Sequence, residues 1–93
     1  MLNKIILENF RNFLVSKTNV KEISAPYYLR WISSCYTFCN LECPKTIPDQ
    51  QKQEFLKEFA RKHEDWQVKQ AEEALRLFEY FNASGFSRLN LSP

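Results

Sequence analysis

"SAPYYLRWISSCYTFCN", residues 24–40, decides how the whole chain is to be read. Tyr28, Leu29, Ile32, Cys35, Tyr36 and Cys39 recur at i, i+3, i+4 and i+7 spacing, the period of one helical face. Tyr27, Arg30, Ser34 and Thr37 fall on the opposite side. Ser24 stands where an N-cap belongs, and Pro26 where a first-turn proline forfeits no hydrogen bond. The stretch predicts an amphipathic helix over residues 25–40, with an aromatic and thiol face turned inward and a hydroxyl and cation face turned out.

The same period runs through the flanking sequence. A first helix is predicted over residues 3–17, with Ile6, Phe10, Phe13 and Leu14 as its stripe, before "TNVKEIS" breaks the pattern. After the loop "LECPKTIPD", a third helix starts beyond Pro48, with Asp49 in its first turn where the helix dipole favours a carboxylate. Phe55, Leu56, Phe59 and Ala60 form its core side; Gln50, Lys52, Glu54, Lys57, Glu58 and Arg61 its wet side; it ends near His63. The fourth helix spans residues 65–82, with Asp65 as its cap and Val68, Ala71, Ala74, Leu75, Phe78 and Phe81 as its apolar stripe. Ala71 and Ala74 are small enough to let another helix approach closely. "NASGFSRLNLSP" closes the chain, with Gly85 as a C-cap neighbour and the remainder reading as the start of a linker.

Composition agrees with this pattern. A chain of 93 residues is one domain, and 44% hydrophobic content with 8 Phe, 4 Tyr and 2 Trp supplies a core. One glycine, and four prolines all at boundaries, favour an all-α fold: a compact four-helix orthogonal bundle. No apolar run approaches the ~20 residues of a membrane span. The opening "MLNKIILENFRNFL" carries Glu8 and Arg11 within its apolar stretch and no small-residue cleavage site, so it reads as a helix rather than a signal peptide. The expectation is a cytoplasmic protein with reduced cysteines and no membrane partner. Net charge is +2, from 13 Lys and Arg against 11 Asp and Glu, so any basic surface must arise from local arrangement.

Candidate chemistry is sparse. Cys35, Cys39 and Cys43 are spaced i, i+4, i+8, and with His63 they make a conceivable four-ligand set. Zinc cysteines usually pair two to four apart across a turn, and Cys43 lies beyond the predicted helix end before Pro44. Cysteines on an apolar stripe act as small hydrophobes, so packing is the favoured reading and no metal or other cofactor is expected. His63 reads as a solvated helix-end residue without a partner for acid–base work. No glycine-rich phosphate loop, GxSxG or HExxH occurs, and the chain as it stands is expected not to be an enzyme. What remains are two polar faces: Lys21, Ser24, Tyr27, Arg30 and Ser34 on the second helix, and Gln67, Lys69, Gln70, Glu73, Arg76 and Tyr80 on the fourth. Long donors mixed with hydroxyls suit phosphate and base-edge contacts, and a helix N-terminus adds free backbone N–H groups. The alternative is that both are ordinary solvated faces.

The order of these features resembles one family. "ENFRNFLVSK" precedes "ISAPYYLRWISSCYTFC", then "IPDQQKQEFLKEFARK", and last "WQVKQAEEALRLFEYF". This is similar to the N-terminal, SAM-like core-binding domain of tyrosine recombinases, the phage and integron integrases. Tyr28, Leu29, Trp31 and Phe38 stand where the family's second helix has Tyr–Leu–x–Trp and a later Phe; Gln67, Gln70, Ala71, Ala74, Leu75, Phe78 and Phe81 match its last helix. The resemblance spans about residues 8–82.

The resemblance implies a DNA-binding domain that clamps duplex DNA for integration or recombination, with the second and fourth helices toward the major groove. The catalytic arginines, lysine, histidines and tyrosine of such enzymes belong to a C-terminal domain that this chain does not include, so residues 1–83 would be the DNA-binding domain and 84–93 the start of a linker. Expected partners are double-stranded DNA, that catalytic domain, and other recombinase protomers in a synaptic complex. The expected DNA contacts are Lys21, Ser24, Tyr27, Arg30, Ser34, Lys69, Gln70, Glu73, Arg76 and Tyr80, with Gln70 as base reader. Glu72, Glu73 and Glu79 put negative charge on the fourth helix, so affinity would come largely from tethering to the second module. The competing expectation is a helical protein-interaction module anchored by exposed Trp31, Phe38 and Trp66.

Overall fold

Helix periodicity in the chain becomes four α-helices in the computed structural model, which describes residues 4–42 and 45–84. They are α1 (Lys4–Lys17), α2 (Ala25–Cys39), α3 (Asp49–Lys62) and α4 (Asp65–Ala83). No strand forms among the described residues, and the molecule is a compact all-α four-helix bundle. No helix among them is long and apolar enough to cross a membrane.

Aromatic side chains hold the bundle together. Phe10 of α1, Ile32 and Cys35 of α2, and Phe81 of α4 are completely covered. Phe10 meets Phe78 edge-on with ring centroids 4.9 Å apart, and lies 5.3 Å from Phe81. Tyr36 adds a second edge contact on Phe78 at 5.8 Å. Such pairs contribute about 0.5–1.5 kcal/mol each beyond the area they bury. Ala25, Ala71 and Ala74 are fully buried, so the absence of bulk lets α2 pack closely along α4.

Helix ends depart from the sequence-based expectation in physically clear ways. Ser24 occupies the N-cap position of α2 but makes no side-chain cap bond. A turn does the work instead: the amides of Ser24 and Ala25 donate to the Lys21 carbonyl, and those of Tyr27 and Tyr28 to Ser24. The α2 start thus has no unsatisfied amide left at residues 24, 25, 27 or 28 for phosphate, and Pro26 has none to give. Asn40, expected inside the helix, is left-handed (φ 54°, ψ 42°). Its N–H bonds to Thr37, and the N–H of Leu41 reaches back to Tyr36, which is a Schellman ending with asparagine in place of glycine. At α4 the cap is Glu64, not Asp65: Glu64 and Gln67 form a reciprocal capping box, with Gln67 Oε1 2.9 Å from the Glu64 amide.

Three packing assignments also change. Ala60 is exposed. Lys52, expected in water, keeps only 15% of its side chain exposed because it bridges Asp49 at 3.2 Å and Glu79 of α4. Burial alone would lower the Lys52 pKa, but the bonds to Glu79 and Asp49 hold it above its ordinary value. Trp31, expected as a surface anchor, is 5% exposed.

Candidate nucleic-acid interface

Burial of Trp31 is what ties α2 to the polar flank of α4. Its indole Nε1–H donates to Gln70 Oε1 at 2.7 Å, and one turn earlier the Tyr28 hydroxyl donates to Glu73 Oε1 at 3.1 Å. Residues three apart on α2 thereby meet residues three apart on α4, and the helices are stitched along one seam. Burial, the adjacent Glu73 carboxylate and its hydrogen bond push the Tyr28 phenol up to about 12, while Arg76 pulls in the opposite sense. The phenol therefore remains a donor at all ordinary pH.

Around this seam the predicted residues divide. Lys21, Tyr27, Arg30, Lys69, Arg76 and Tyr80 are exposed; Ser24, Ser34, Gln70 and Glu73 are half-buried. Glu73, Arg76 and Tyr80 line a groove of about 560 Å³ between α4 and the end of α1. There the Tyr80 ring lies 6.0 Å from Phe13, and Arg76 approaches Glu73 at 3.8 Å. Arg30 and Ser34 line a different groove, between α2 and α3. Gln70 gives its carbonyl oxygen to Trp31, leaving its amide group as the free donor; a bidentate grip on adenine would compete with the seam.

Sequence reasoning overlooked Lys17, which shares the α4 groove with Arg76 and Tyr80. A lysine in the last turn of a helix has a sufficient local explanation in the helix dipole, so nothing in the sequence marked it out. His63 is half-buried rather than solvated. Its ring lies flat on Phe59, centroids 3.7 Å apart with 4° between planes, and meets Trp31 edge-on at 5.5 Å. Nδ1 is 3.0 Å from the Phe59 carbonyl oxygen, which only accepts, so that nitrogen carries the proton.

The thiols behave as packing groups. Cys35 is fully buried and desolvation pushes its thiol up; the half-buried Cys39 thiol is raised by the same cause. Among the described residues no three metal-ligating side chains come together. Cys43 and Gly85, on which two expectations rested, lie outside the described residues.

Comparison with family models, with curated proteins and with solved structures gives no match.

Proposed function

We propose that this chain is a DNA-binding helical domain that lays α2 and α4 against a duplex, as the N-terminal arm of a site-specific tyrosine recombinase. The observation that carries the reading is the pair of hydrogen bonds from Tyr28 and Trp31 to Glu73 and Gln70. They lock the two helices as one body, on which Tyr27, Arg30, Lys69, Arg76 and Tyr80 are all exposed, Arg76 and Tyr80 in the α4 groove and Arg30 in the groove between α2 and α3. A rigid frame carrying separated cations and hydroxyls suits the phosphates of a duplex, whose contacts orient a protein without reading sequence. Lys17 joins the set from α1, and the Gln70 amide group, whose carbonyl oxygen is held by Trp31, adds a donor for a base edge. Bond making and breaking would belong to a catalytic domain on the same polypeptide, and neighbouring protomers would meet in the synaptic assembly.

A labelled duplex titrated with the 93-residue chain at two salt concentrations tests the reading. Affinity should fall steeply with salt, and Lys69→Ala and Arg76→Ala should each flatten the log–log slope by about one. Salt-independent binding, or none at millimolar protein in low salt, refutes it.

A further inference from the structure

The groove between α2 and α3 is separate from the α4 surface and has a different chemistry. Its volume is about 450 Å³, within the range of small binding clefts, roughly 300–1,000 Å³. Phe38, Phe55 and Phe59 form its apolar wall, and Phe38 is 46% exposed at its mouth. Two cations, Arg30 and Lys62, stand at the wall against one carboxylate, Glu58. That carboxylate is already engaged by Arg61 at 3.4 Å and Lys62 at 4.0 Å, whereas Arg30 has no ion pair among the described residues. The apolar slot thus has a positively charged rim.

We propose that this groove receives an acidic amphipathic helix of a partner protein, seating a leucine or phenylalanine against Phe38 and Phe55 and placing carboxylates on Arg30 and Lys62. Helix-in-groove recognition pairs an apolar anchor site with complementary charge at its edge; the exposed Phe38 ring over the nearly covered Phe55 supplies the first, and Arg30 and Lys62 the second. Nucleobases fit less well. Phe59 is already covered by the parallel His63 ring, and Phe38 meets Phe55 at 64°, so no flat stacking platform is offered. A second copy of the chain fits less well again, because a two-fold contact here would bring the same cations together.

The test is selection of a displayed library of 15-residue helical peptides on the 93-residue chain, with Phe38→Ser and Lys62→Glu as paired targets. Both substitutions sit on the surface, and circular dichroism checks that the helices persist. Enriched peptides should carry Leu or Phe anchors flanked by Glu or Asp. Binding should fall about tenfold with Phe38→Ser, equivalent to ~1.4 kcal/mol. Lys62→Glu should weaken it severalfold, with recovery when the peptide's carboxylates are exchanged for lysines. Amide shifts should centre on Phe38, Phe55 and Phe59 rather than Lys69 and Arg76, and neither variant should alter the salt slope of duplex binding. The proposal is overturned by enrichment of neutral or basic peptides, by equal binding to Phe38→Ser, by no enrichment at all, or by concentration-dependent self-association through this groove.

Discussion

Trp31 shows how much can depend on one side chain. It fills the junction of α2, α3 and α4, bonding Gln70 and meeting Phe59 edge-on at 4.9 Å. Trp31→Phe keeps one aromatic ring but removes the N–H donor and part of the buried indole volume, so thermal or urea unfolding should register a loss of about 1–3 kcal/mol. Trp31→Ala removes the ring as well and should cost about 3–5 kcal/mol, a large part of the stability of a domain this size. Equal losses for the two variants would refute the assignment. Tyr28 offers a second test through pH. Its phenol titrates near 12 in the folded protein against 10 when exposed, so its neutral form is stabilised by folding. That contribution is complete below pH 10 and disappears as pH climbs from 10 to 12, because the unfolded chain sheds the proton first. Across that window the native protein should lose roughly 2–3 kcal/mol more stability than Tyr28→Phe does, at ~1.4 kcal/mol per pH unit. Parallel pH profiles would show that Tyr28 titrates normally.

At the level of the helix, ends rather than middles carry the surprises. Glu64→Ala dismantles the capping box that starts α4 and should destabilise by about 1 kcal/mol in denaturant melts, whereas Asp65→Ala should cost less. The reverse order would restore Asp65 as the cap. The stripes Phe10–Phe13–Leu14 and Ala71–Ala74–Leu75–Phe78 were legible because burial on one helical face imposes a period that survives in sequence. Trp31 was not legible, since an amphipathic ring with one polar atom fits a surface or an interior equally well until its donor finds Gln70. Lys52 escaped for a related reason: a lysine on a polar flank looks solvated, and only the approach of α4 supplies Glu79. Ser24 fails as a side-chain cap because its own backbone is already helical, Pro26 has no N–H to give it, and the Tyr27 amide bonds the Ser24 carbonyl instead. The polar faces themselves were visible as lists of residues, but their division between two grooves depends on where α1 and α3 lie.

For the molecule as a whole, the balance of charge around the seam governs what the surface can attract. Glu73 lies beside Arg76 and offsets part of its pull on a phosphate. Glu73→Gln keeps an acceptor for Tyr28 while removing the negative charge, so duplex affinity at low salt should rise severalfold with the melting temperature nearly unchanged; fluorescence anisotropy gives the first and calorimetry the second. Unchanged affinity would remove α4 from the interface. The two tryptophans, one sealed in the bundle and the other, Trp66, 57% exposed, also give the molecule two optical channels of opposite sensitivity. Iodide should quench the outer indole and spare the inner one. With Trp66→Phe, the remaining emission becomes a blue-shifted signal from the centre of the bundle alone, able to distinguish an event on the outside of the protein from a loosening within it.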